Sequence, residues 1–171
     1  MPYGPFADEQ AFRAHLDNQQ ASEDPLFFAL VERAAGTAAG VASYMRIEPQ
    51  HGCIEIGNIW FGAALQRTPA ATEAIYLLAR HAFDELGNRR LEWKCNAAND
   101  RSTGAARRFG FTYEGTFRQM YVVKGENRDT AWFSIIDGEW PEIKAAFERW
   151  LDPANFDVGG TQRKPLRARR Q

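Results

Sequence analysis

Residues 60–87, WFGAALQRTPAATEAIYLLARHAFDELG, constrain the fold more than any other stretch of this chain. Ile75, Leu78, Ala79, Ala82, Phe83 and Leu86 recur at the spacing of one helix face, so a long amphipathic helix with one buried side is expected. The segment ending at Phe61 reads as the strand that feeds it. Thr72 is a candidate N-cap, and the first turn can start as early as Pro69, where proline loses no needed N–H. Gly87 marks the stop. Small residues at 70 and 71 let a ligand approach the backbone of the turn Gln66-Arg67-Thr68-Pro69-Ala70-Ala71. The N–H groups and dipole of a helix start suit a phosphate, and Arg67 adds a cation matched to one. Many such turns only begin a helix, so the residues alone leave both readings open.

The chain has 171 residues, a length that suggests one domain. No apolar run approaches the length of a membrane span, and the N-terminus lacks the basic and apolar regions of a signal peptide. Cys53 and Cys95 have no metal-ligand spacing, and His15, His51 and His81 are scattered. These features imply reduced buried thiols, a cytoplasmic location and no metal. Net charge is −1, but residues 163–171 hold five basic residues and no acid, and without them 16 basic residues face 22 acidic ones, a net −6. Residues 1–152 are expected to form the domain, and residues 153–171 a disordered basic tail. Nucleic-acid binding through so short a run is not expected.

Asp8 opens a helix through Gln19 with Phe12 and Leu16 on one face. Strands follow at 26–32, 41–47 and 53–61, with turns at 36–40 and 48–52. Gly57 inside the third strand points to a bulge or a close backbone approach. After the central helix come a strand at 90–96, a short helix to Arg108, strands at 112–124 and 130–136, and a last helix at 139–151. The strands on either side of the central helix can be parallel neighbours joined by a crossover. The fold class is therefore α/β, an α+β mixed sheet.

Four segments, GNIWF (57–61), QRTPAATEA (66–74), KCNAANDRSTGAARRFGF (94–111) and RDTAWFSIIDGEW (128–140), together resemble the GNAT superfamily of acyl-CoA-dependent N-acetyltransferases. Within it they resemble the branch that includes the ribosomal-protein N-terminal acetyltransferases. The resemblance runs from about residue 5 to about residue 151 and rests on the order of the motifs, none of which is decisive alone. It implies acetyl-CoA as cosubstrate, held by a Q/R-x-x-G-x-G/A turn. Here that turn implies contacts from Leu65, Gln66, Arg67, Thr68, Ala70, Ala71 and Thr72, with Pro69 in place of the first glycine. Asn99 matches an asparagine that reaches the cofactor arm, and Ser102 sits where this branch often has a serine near the thioester. The place of the family's general-acid tyrosine is taken by Ala106, so Ser102 becomes the substitute, with Tyr113 and Tyr121 as alternatives. The family opens with a strand and helix before the segment seen here, so the fold is expected to lack both. That would thin the acceptor pocket unless a homodimer compensates.

In such an enzyme a base must neutralise the attacking amine. Glu55, between Ile54 and Ile56, faces the opposite side of its strand and is the candidate. If that side lines a cleft, burial raises its pKa to a useful value; if not, it is a solvent-facing residue. Asn58 is a candidate acceptor contact or a strand-end residue. Arg118 and Arg128 are surface residues or ligands for an acidic acceptor, and the sequence does not choose. Trp60, Trp93, Trp132 and Trp140 read as core. The expected function is acetyl transfer to a primary amine, on a protein N-terminus or a small molecule. A non-catalytic acyl-CoA-binding protein of the same fold is the alternative.

Overall fold

The structure, a computed structural model, describes residues 4–33 and 35–168. Its elements run α1 (Glu9–Gln20), β1 (Leu26–Glu32), β2 (Thr37–Glu48), β3 (Cys53–Phe61), α2 (Pro69–Arg80), β4 (Arg90–Asn96), α3 (Asp100–Arg108), β5 (Thr112–Val123), β6 (Glu126–Ile136) and α4 (Trp140–Leu151). The strands form one mixed sheet in the order β1-β2-β3-β4-β6-β5. β3 and β4 are parallel, with α2 as the crossover, and the other neighbours are antiparallel. Among the described residues no helix is long and apolar enough to cross a membrane.

Period-two alternation gives each central strand one apolar face. Ile54, Ile56, Leu91, Trp93, Phe133 and Ile135 are buried in one cluster with Ile75, Ala79 and Ala82 of the central helix segment and Ile143 and Phe147 of α4. Phe83 stacks on Trp140 at 5.1 Å, and Tyr76 meets Phe147 at 5.6 Å, which ties α2 to α4. The polar residues that alternate with the apolar ones, Glu55 of β3 and Glu92 and Lys94 of β4, are thereby left on the opposite face.

Several expectations change. The N-cap of α2 is Thr68, not Thr72: Thr68 Oγ1 accepts the Ala71 N–H at 3.2 Å. Pro69 fixes the first helical φ, which leaves the residue before it to cap. The helix continues as a π-helical turn, His81–Glu85, before Gly87, and Leu86 is exposed rather than buried. The buried Tyr44 hydroxyl donates to the Leu78 carbonyl at 2.5 Å beside that turn. β2 starts at Thr37, so the first hairpin turn is shorter than residues 36–40. α1 is capped by Asp8 as expected, but Phe12 and Leu16 are exposed. Trp60 is exposed, and Cys53 is only half-buried.

Residues 153–168 are folded, where a disordered tail was expected. Pro153–Asn155 form a 3-10 turn, and Phe156 pairs with Gln162. Asn155 donates to the carbonyls of Trp150 and Lys164, and Gln162 accepts from Trp150 Nε1 at 2.8 Å. Leu166 and Ala168 reach the core. These two apolar side chains of the basic run add to those hydrogen bonds, and Gly110 leaves the space that Ala168 approaches. Residues 169–171, also part of the expected tail, lie outside the described residues.

Candidate active site

β3 and β4 pair only at Cys53↔Arg90, Ile54↔Leu91 and Glu55↔Glu92, although β3 runs on to Phe61 and β4 to Asn96. The two parallel strands therefore part. The cause is a bulge: between Val41↔Trp60 and Ser43↔Gly57, one residue of β2 faces Asn58 and Ile59 of β3. Asn58 adopts φ +50°, and its Nδ2 donates to Ser43 Oγ at 3.0 Å, while Ser43 donates to the Gly57 carbonyl. A Cβ at Gly57 would run into Met45 Sδ, so a larger residue there would have to displace the methionine side chain. The parted strands leave facing backbone groups without a strand partner, and a cavity of about 970 Å³ opens beside them.

Glu55 sits at the fork, 4% exposed, on the face away from the helices. Its Oε2 accepts from Lys94 Nζ at 2.9 Å and lies 3.8 Å from Arg46. Its Oε1 has no hydrogen bond among the described residues and lies over Gly57, 3.8 Å from where a Cβ would stand. Burial pushes the Glu55 carboxyl above its ordinary value, and the Lys94 ammonium works against that rise without cancelling it. Lys94 also meets Glu92 at 2.6 Å and lies 3.8 Å from the centre of the Trp132 ring. Burial pushes Glu92 up too, but hydrogen bonds from Lys94 and Arg90 outweigh it and hold that carboxyl low. Arg90 extends the alternation of charge to Glu114 at 2.6 Å, which accepts from Ser134.

A second cavity, of about 460 Å³, lies at the start of α2 and is lined by Arg67, Thr68, Ala71, Thr72, Arg108 and the 160–162 segment of the folded tail. The Thr68 N–H is taken by the Leu65 carbonyl and the Ala71 N–H by Thr68 Oγ1. Pro69 has none, and the N–H groups of Arg67 and Ala70 have no partner among the described residues. Arg67 carries φ +62° and no carboxylate partner among the described residues. Arg108 donates to Thr72 Oγ1 at 3.1 Å and lies 5.0 Å from the centre of the Trp150 ring.

The structure brings Glu55, Asn58, Asn99 and Ser102 to one cleft, and Arg67, Thr68, Ala71 and Thr72 to the other cavity. Leu65 is buried, and Gln66 spends its amide on the Phe61 carbonyl at 2.8 Å. Asn99 caps α3 through the Ser102 N–H, and Ser102 Oγ accepts from Trp93 Nε1 at 3.0 Å. Ala106 is fully buried, and of the two tyrosines only Tyr121 lines the cleft. Lys94, Arg46 and Arg108 escaped the sequence reading. The alternation of RLEWKCN (90–96) puts Glu92 and Lys94 on one strand face, but it carries no sign that the face is covered.

The residues 1–112 match the family model of the acetyltransferase (GNAT) domain. The chain belongs to the GNAT acetyltransferase family. Its fold and sequence are similar to a GCN5-related N-acetyltransferase from Brucella melitensis, at 51% identity over 97% of this chain and 75% of that one, with a TM-score of 0.95. A GNAT-family protein from Chromobacterium violaceum shares 48% identity over 82% of this chain and 71% of that one, at a TM-score of 0.78. Among curated relatives, the ribosomal-protein-serine acetyltransferase of Escherichia coli is 32% identical over 101 residues, 58% of this chain and 56% of that protein. The match spans little more than half the length of the curated relatives.

Proposed function

We propose that this GNAT protein transfers an acetyl group from acetyl-CoA to a primary amine, on a protein N-terminus or a small molecule. The observation that carries the reading is the fork of β3 and β4, with Glu55 Oε1, which has no hydrogen bond among the described residues, at its crotch and the start of α2 beyond it. Open strand edges offer N–H and C=O groups to the amides of a pantetheine arm. The Arg67 and Ala70 N–H groups, the dipole of α2 and the Arg67 guanidinium suit its phosphates. Acetyl-CoA supplies an activated acyl group. Glu55 takes the proton of the acceptor ammonium, directly or through water, and Asn58 and the strand edge hold the amine beside it. In this reading Ser102, whose Oγ accepts from Trp93 Nε1, gives its hydroxyl proton to the departing thiolate. The names of the curated relatives support a protein amine as acceptor. The site calls for no metal, and a cytoplasmic location fits this reading.

A second reading, an acyl-CoA-binding protein without turnover, draws on the two internally spent N–H groups at Thr68 and Ala71 and on the alanine at 106. Both readings predict binding. Calorimetry with acetyl-CoA is expected to show micromolar affinity, and Arg67→Ala to weaken it about tenfold, the loss of one charge-assisted contact worth about 1.4 kcal/mol. Equal affinity in the variant would remove Arg67 from the phosphate site.

A further inference from the structure

The fork leaves one part of the cleft unexplained. Arg128, Thr130 and Trp132 follow one another at period two along β6, on the face away from the helices, since Ala131 and Phe133, which alternate with Thr130 and Trp132, are in the core. Each has a buried polar atom with no hydrogen-bond partner among the described residues: Arg128 Nε, Thr130 Oγ1 and Trp132 Nε1. Thr130 is 1% exposed and, with Arg128, lines the large cleft that also holds Glu55. Thr130 stands directly across from Asn96 of β4. Arg128 lies 5.7 Å from the centre of the Tyr121 ring, and no carboxylate of the described residues is within ion-pair distance of it. Buried donors without acceptors are costly, and native sites that keep them satisfy them with water or a ligand. Of the other cations lining the cleft, Arg46 and Lys94 are already committed to Glu55, and Arg101 stands on α3 rather than on the sheet face. Arg128 is thus a cation facing the cleft with no carboxylate of its own.

We propose that Arg128 and Thr130 form a carboxylate-reading subsite that selects acceptors bearing a carboxylate close to the reacting amine. A guanidinium and a hydroxyl two residues apart on one strand face match the two oxygens of a carboxylate. A polycation meets the Arg128 guanidinium here, and Glu55 is already paired with Lys94 and Arg46. The inference rests on the acetyl-transfer reading and narrows its substrate class. The carboxylate can belong to an acidic side chain of a peptide N-terminus or to a free amino acid.

The test uses three acceptors with acetyl-CoA: a C-terminally amidated Ser-Glu-Ala peptide, its Ser-Gln-Ala counterpart, and free serine. Spermidine is the polycationic control. The Glu peptide is expected to show a KM about tenfold below that of the Gln peptide, with kcat similar. Arg128→Ala is expected to erase that difference while leaving kcat for the Gln peptide unchanged, and Arg128→Lys to restore part of it. Thr130→Val removes the unpaired hydroxyl and is expected to reduce the preference without lowering the unfolding midpoint, which separates loss of recognition from loss of fold. Serine outperforming the Glu peptide would assign the carboxylate to a free amino acid and keep the subsite. A preference for spermidine, or a Glu-over-Gln preference that survives in Arg128→Ala, would overturn it. Calorimetric titration of the two peptides into the CoA-saturated protein reads the subsite without chemistry. Carboxylate- and Arg128-dependent binding with no turnover would sink acetyl transfer and spare the subsite. Equal affinities of the two peptides would sink the subsite even if transfer proceeds.

Discussion

Lys94→Met is expected to lower stability by about 3–5 kcal/mol, the cost of leaving buried charge uncompensated. The Lys94 side chain is 8% exposed and serves two carboxylates, Glu55 at 2.9 Å and Glu92 at 2.6 Å, whose side chains are 6% and 13% exposed. Methionine fills the stem's volume but removes the shared cation. Glu92 keeps Arg90 at 2.7 Å, whereas Glu55 is left with Arg46 at 3.8 Å. For a chain of this length the loss corresponds to a fall in Tm of about 6–20 °C. The sign with pH follows from Glu55, whose folded carboxyl already lies above its ordinary value through burial. A raised carboxyl costs stability above its folded pKa, and the cost fades as pH falls through it toward the unfolded value. Removing Lys94 raises it further, so the deficit should shrink on acidification. Adding Glu55→Gln should recover part of it, because the stranded charge is gone. Urea unfolding of the single and double variants at neutral and mildly acid pH checks this. Additive losses that ignore pH would mean the lysine acts only by packing on Trp132.

Glu55→Gln alone is expected to reduce kcat about 10²–10³-fold, the usual contribution of a positioned base. The change keeps the shape and the Lys94 contact but cannot take a proton. Acetyl-CoA affinity should not change, since Glu55 lies on the face away from the helices and none of the α2 phosphate-site groups touches it. The wild-type rate should rise with pH through the raised Glu55 pKa, because the ionised form is the base. The Gln variant should lose that acid limb. A variant within about twofold of wild type, with the same pH profile, would reduce Glu55 to a structural carboxylate.

Much of this architecture was legible in the residues. The bounds of β3 and β4 follow from Ile54-x-Ile56 and Leu91-x-Trp93-x-Cys95, and the central helix from its one-sided apolar spacing. The fork was half visible: Gly57 signalled an irregularity, but only register shows that Asn58 and Ile59 share one partner position. The N-cap was misplaced by four residues because two threonines flank the small residues of the turn, and proline's fixed φ decides between them. Burial of the polar face was illegible in principle. Glu92 and Lys94 alternate as a solvated face would, and only the pairing of Lys94 with Trp132 across β4 and β6 shows that it is covered. The folded tail was hidden for a related reason. Leu166 and Ala168 are too few to announce a core contact, and the space that Ala168 meets beside Gly110 lies in a distant part of the chain.

The most direct test of the central claim is turnover itself: release of free thiol from acetyl-CoA, followed against formation of acetylated peptide by mass spectrometry. The fork with Glu55 at its base predicts thiol release that depends on an amine acceptor and matches the acetylated product one to one. Tight acetyl-CoA binding with no thiol release from any amine in the panel would contradict it and leave a protein that binds the acyl carrier without using it.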